Sequence, residues 1–243
     1  PARAGCRNVL PPPFMRPLLL LFVAVSLFAA DDPKLRIHEL GKPGADKLAD
    51  LPARYATFMS QGYGASMPNP VFRLSDLAFL PEGRRERLDL YVSYRRDFKV
   101  RRPGVLFIHG GGYAVGSIED THHETLRLAV AIPANVVSIS YRLAPEHPWP
   151  AGVDDGEDIL DAITKGAIPG LARERIAVGG ISAGAGLAVA MAQRALAKGR
   201  SPIDLLILMS PWLDMTGTLP SVDVFGTGYF LEKPSLASFT NAY

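Results

Sequence analysis

Arg175-Ile176-Ala177-Val178-Gly179-Gly180-Ile181-Ser182-Ala183-Gly184-Ala185-Gly186-Leu187-Ala188-Val189-Ala190-Met191 is the stretch that decides the fold. Arg175 to Gly180 is a short apolar run of the kind that forms a strand buried on both faces. Ala183 to Lys198 is dense in alanine, the best helix former, and Gly199 stands where a helix should stop. Between them lies Gly180-Ile181-Ser182-Ala183-Gly184, a G-x-S-x-G sequence in strand-to-helix context. A strand turning straight into a helix forces the central residue into a strained backbone conformation. Side chains two positions before and after it would collide with neighbouring elements, which Gly180 and Gly184 avoid. The turn presents Ser182 Oγ at the end of the strand as a candidate nucleophile. It also sets the Ala183 N–H at the start of the helix, where it can face an anion.

Working outward, the same alternation continues. Leu88 to Tyr94 alternates as a strand, and Val105 to Ile108 and Val136 to Tyr141 read as buried strands. Thr121 to Ala131 and Gly152 to Ile163 carry helical spacing, the latter with acids in its first turns that suit the helix dipole. Ile203 to Met209 is a further buried strand. Strands alternating with helices through short connections predict an α/β fold: a mostly parallel sheet covered by helices on both faces.

Directly after the Val105–Ile108 strand comes His109-Gly110-Gly111-Gly112-Tyr113. Glycines let a loop turn its N–H groups inward. A tetrahedral intermediate needs such donors fixed where its charge develops. The backbone N–H groups of Gly111, Gly112 and Ala183 are the expected oxyanion hole. His109 is expected to hold the loop's shape rather than to act as a base, and Gly110 supports the same motif. Tyr141-Arg142-Leu143-Ala144-Pro145-Glu146-His147-Pro148-Trp149-Pro150 follows the next buried strand. Its prolines stiffen a loop expected to lock beside the glycine segment, with His147 as a packing and hydrogen-bonding residue.

These motifs, in this order, resemble the hormone-sensitive-lipase family of α/β-hydrolases, in its bacterial esterase branch. The likeness runs from about Leu88 to Thr216 and includes Ser210-Pro211-Trp212-Leu213-Asp214. It implies carboxylic-ester hydrolysis through a serine acyl-enzyme on short acyl or acetyl esters, with no cofactor. It also implies a helical cap from about 31–75 and 213–243, with helices near Tyr55–Tyr63 and Ser235–Tyr243 and a break at Gly62-Tyr63-Gly64. Two positions depart from the family elbow: Ile181 stands for an aspartate and Ala185 for a glycine. The family places an acid and then a histidine well downstream of its serine. All five histidines here precede Ser182. The domain, 31–243, therefore reads as incomplete, with its last strands missing and the Ile203–Met209 strand left as a poorly covered edge. Residues 1–243 alone are expected to be inactive or nearly so. Two alternatives stay open: an amide or formamide hydrolase on the same scaffold, and a triad-deficient homologue that binds a ligand in the retained pocket.

Composition sets bounds on the rest. The 243 residues are 48% hydrophobic and 21% charged with a net charge of +2, enough for one sizeable core. The isoelectric point near 8.8 does not mark a nucleic-acid binder, since cations are scattered among acids. The exceptions, Arg84-Arg85 and Arg95-Arg96, read as solvated turns or strand ends. One cysteine, Cys6, excludes an internal disulfide, and no Cys/His spacing suggests a metal. Met15-Arg16-Pro17, the apolar run Leu18–Phe28 and Ala29-Ala30 before Asp31-Asp32 have the order of a signal peptide over 15–30. The run falls short of the roughly 20 residues a membrane span needs. Residues 1–14 read as an upstream segment, and a secreted or periplasmic location follows. The partner expected is a small ester, and the sequence is silent on oligomeric state.

Overall fold

The computed structural model describes residues 19–22, 37–39, 71–80, 83–93, 101–199 and 201–243. The expected cap helix at Tyr55–Tyr63, the break at Gly62–Gly64, and residues 1–14 lie outside them. So does most of the expected leader.

Among the described residues, eight strands form one mixed sheet: β1 (Leu19–Phe22), β2 (Ile37–Glu39), β3 (Val71–Ala78), β4 (Arg87–Ser93), β5 (Arg102–Ile108), β6 (Asn135–Ile139), β7 (Leu171–Ile181) and β8 (Ile203–Met209). Their spatial order is β1-β8-β7-β5-β6-β4-β3-β2. The helices are α1 (His122–Ala131), α2 (Ala151–Lys165), α3 (Ala183–Ala197), α4 (Pro220–Phe225) and α5 (Lys233–Ala242), with a 3-10 turn at Ile118–Thr121 before α1. β6, β5, β7, β8 and β1 run parallel, while β4 is antiparallel to both β6 and β3. The parallel core comes from three crossovers, β5–α1–β6, β6–α2–β7 and β7–α3–β8, as the alternating sequence predicts.

Period-two alternation assigns the two faces. On β5, Leu106 and Ile108 pack with Ile159 and Ile163 of α2 and Leu187 and Met191 of α3. Val105 and Phe107 point the other way, into a second cluster with Leu126 and Ala129 of α1. Burying a side chain such as Phe107 removes apolar area worth about 1.5–3 kcal/mol, so each face is stabilised mainly by this packing. Gly166 caps α2 in the left-handed conformation (φ +76°).

Three sequence expectations change. The cap does not take up all of 31–75: Ile37–Glu39 and Val71–Ala78 are sheet strands, paired to each other and, through β3, to β4. The outer edge of β8 is not left open, because Leu19–Phe22 pairs with Leu205–Leu208 in parallel. Finally, Arg84 is not simply solvated: it forms an ion pair with the fully buried Asp155.

Candidate active site

The site lies where β5 and β7 end side by side. Ser182 follows β7 and precedes α3, with φ +54° and ψ −116°. A non-glycine residue there carries strain on the order of 1–3 kcal/mol. Three backbone hydrogen bonds hold it: Ser182 N–H donates to Met209 O (2.9 Å), and its carbonyl accepts from Gly186 N–H (3.1 Å) and Trp212 N–H (3.3 Å). The elbow glycines are required by crowding. A Cβ on Gly180 would run into the carbonyl oxygen of Ile108 and lie 2.6 Å from the Gly184 carbonyl carbon. A Cβ on Gly184 would strike the carbonyl oxygens of both Ile108 and His109. Real Cβ atoms do not approach backbone so closely.

The glycine loop faces this elbow. A Cβ on Gly110 would sit 3.4 Å from Ser182 Cβ, so the loop runs close beside the serine. Gly111 (φ +107°) accepts from the N–H groups of Ala114 (3.1 Å) and Val115 (2.9 Å), which closes the loop. Its side-chain position is filled by the Val115 carbonyl. Gly112 (φ +59°) lies under the ring of Phe239 from α5, 2.5 Å from where its Cβ would be. Ala183 is fully buried at the first position of α3, where the N–H has no partner within the helix. The fold thus brings Ser182, Gly110, Gly111, Gly112 and Ala183 to one place.

His109 is 1% exposed and stacks on Tyr141 with ring centroids 4.4 Å apart. Its Nδ1–H donates to Gly110 O (2.7 Å), which leaves Nε2 buried with no partner among the described residues. Burial pushes its pKa below the usual histidine value. This is a neutral imidazole holding the loop. His147 differs from expectation: it is exposed, and its backbone N–H donates to Leu143 O (2.9 Å).

The Tyr141–Pro150 loop does lock beside the glycine segment. Tyr141 Oη donates toward the carbonyls of His109 (3.3 Å) and Gly110 (3.4 Å), and Ala144 N–H donates to Tyr113 O (2.9 Å). Its anchor is a residue that sequence reasoning missed. Asp155 on α2 is fully buried and accepts from Arg142 N–H (2.8 Å) and Arg142 Nε (3.0 Å), and from Arg84. Read from sequence, this acid only completed a helix dipole. Its arginine partners come from elsewhere in the chain, so local pattern could not reveal it.

Beside the elbow, one turn along α3, a cavity of about 490 Å³ opens between Gly186, Leu187, Trp212, Met215, Thr240 and Tyr243. Among the described residues no group of His, Cys, Asp and Glu could hold a metal, and no helix is long and apolar enough to cross a membrane.

Comparison with known proteins agrees with this geometry. The profile of an alpha/beta hydrolase fold family matches residues 105–243. Esterase LipI of Mycobacterium tuberculosis is 40% identical over 143 residues, 58% of this chain and 44% of that protein. Ethyl acetate hydrolase of Pseudomonas putida is 34% identical over 179 residues, 70% of this chain and 54% of that one. The chain therefore spans about half the length of these curated relatives. Among solved structures, a hyperthermophilic esterase of the archaeon Pyrobaculum calidifontis superposes with TM-score 0.63 at 30% identity, covering 84% of this chain and 64% of that one. A bacterial heroin esterase gives TM-score 0.63 at 28% identity, covering 81% and 63%. A sharp serine turn packed against a glycine loop at the sheet's C-terminal edge, matched by sequence over more than half of the chain, places it in the α/β-hydrolase family, in the branch that resembles hormone-sensitive lipase.

Proposed function

We propose that this protein hydrolyses carboxylic esters through a Ser182 acyl-enzyme, with the N–H groups of Gly111, Gly112 and Ala183 binding the oxyanion. The observation that carries the reading is the close juxtaposition of the strained serine turn and the glycine loop at Gly110. Ser182 Oγ attacks the ester carbonyl, the alkoxide departs with a proton, and water later releases the acid. Loop donors are most effective when they are fixed before charge appears. The rigid tethers from Tyr141, Ala144 and Asp155 supply that preorganisation. The esterases and ethyl acetate hydrolase among the relatives favour short acyl or acetyl esters.

The proton must go to a base. Among the described histidines, His109 is committed to Gly110 and buried, His122 is bonded to Tyr91 Oη, His123 on α1 and His147 on the proline-rich loop are exposed, and no histidine follows Ser182. We infer that residues 1–243 lack the base and its acid partner, and that these residues alone turn over esters at least ~10³-fold more slowly than a chain that supplies them. The test is hydrolysis of p-nitrophenyl acetate by the protein as its gene encodes it, by Ser182→Ala, and by residues 1–243. Normal esterase rates from residues 1–243 would overturn the missing-base reading, and full activity of Ser182→Ala would overturn the nucleophile. Formamide turnover exceeding ester turnover would favour the amidase alternative instead.

A further inference from the structure

Tyr113 closes the glycine loop and is 4% exposed, with a positive φ of 64°. Its phenol reaches across the first turn of α3 and donates to Trp212 O at 3.1 Å. The N–H of the same Trp212 donates to the Ser182 carbonyl. One side chain therefore joins the loop to the strand-end segment that holds the serine. The path is open only because residue 186 is glycine: a Cβ there would collide with Tyr113 Oη and lie 2.8 Å from Trp212 O. One face of the ring is covered by Tyr243, stacked at 4.0 Å and 9°. Burial pushes the phenol pKa up to about 12, so it stays a donor across the neutral range.

We propose that Tyr113 is a positioning residue that sets the oxyanion donors relative to Ser182 through Trp212, and that Gly186 is its matched partner. The inference rests on the esterase reading above. It separates from that reading because Tyr113→Phe keeps the ring, its stacking and its packing, and removes only the tie. A displacement of the donors by a fraction of an ångström costs transition-state stabilisation without touching substrate binding.

The experiment measures p-nitrophenyl acetate hydrolysis and urea unfolding for the protein as its gene encodes it, and for Ser182→Ala, Tyr113→Phe, Gly186→Ala and the Tyr113→Phe/Gly186→Ala double variant. Turnover by the parent and its loss in Ser182→Ala first secure the reading; an inactive parent would overturn both it and this inference. Tyr113→Phe is then expected to lower kcat roughly ten- to a hundredfold with KM and the unfolding midpoint little changed. Gly186→Ala is expected to lose less activity in the Tyr113→Phe background than in the parent, because the nearer of the two oxygens it strikes is gone. A kcat for Tyr113→Phe within about twofold of the parent would overturn the proposal. So would losses in kcat and KM that simply follow a lowered unfolding midpoint, or additive effects in the double variant.

Discussion

Replacing Asp155 with alanine is the sharpest probe of how the site is held. The carboxylate is fully buried and accepts from Arg142 N–H, Arg142 Nε and Arg84. Removing it strands the Arg142 N–H and takes the carboxylate from the Arg142 guanidinium, while Arg84 keeps its ion pair with Glu86. Breaking a buried ion pair from one side costs about 3–5 kcal/mol. The two arginine side chains are 26% and 30% exposed, so water recovers part of this and the lower end, about 3 kcal/mol, is expected. In a domain of this size that lowers Tm by roughly 6–12 °C. Asp155→Asn keeps an acceptor for Arg142 N–H and should cost less, about 2 kcal/mol. Urea unfolding with an unchanged denaturant slope is the assay, run beside Arg84→Ala and the Arg84→Ala/Asp155→Ala pair. A coupling of at least about 1 kcal/mol between the two sites is expected. Asp155→Ala within about 1 kcal/mol of the parent, or strict additivity with Arg84→Ala, would refute the claim that this acid anchors the Tyr141–Pro150 loop.

Gly184→Ala drives a methyl group into two carbonyl oxygens that belong to β5 and the glycine loop. It should destabilise by about 2–3 kcal/mol and lower turnover on the order of 10²-fold, both read from the purified variant. Burial depresses the His109 pKa in the folded state, so the unfolded chain binds that proton more readily. Its stabilising contribution is full above the unfolded value near ~6.5 and is lost as pH falls from there toward the depressed folded value. His109→Gln should therefore flatten part of the fall in urea stability between pH 7 and 5; an unchanged slope would count against a buried neutral imidazole. Deleting residues 1–30 removes Leu19–Phe22 and opens the edge of β8, which should promote self-association in sedimentation velocity. A monodisperse monomer would show that this edge needs no cover.

The parallel core was legible because β5, β6, β7 and β8 carry continuous apolar runs and the helices between them carry apolar faces. The elbow was legible for a different reason: its glycines answer a local steric demand that the sequence states within five residues. β3 was missed because its alternation breaks. The register shifts between Leu74 and Leu77, and Asp76 takes a positive φ of 57°. The early part of β7 was missed because Arg173, Glu174 and Arg175 are exposed and polar, unlike a buried strand. Asp155 with Arg84, and Tyr113 with Gly186, join residues some 70 positions apart. No local period encodes such pairs; they exist only once the sheet has brought the loops together.

The most direct test of the account is the identity of the acylated atom. The protein as its gene encodes it would be mixed with p-nitrophenyl acetate, quenched in acid, and its peptides weighed. One acetyl group on Ser182 is expected, formed at the rate of the nitrophenol burst and absent from Ser182→Ala. Nitrophenol release with the acetyl group on another residue, or undiminished turnover by Ser182→Ala, would contradict it.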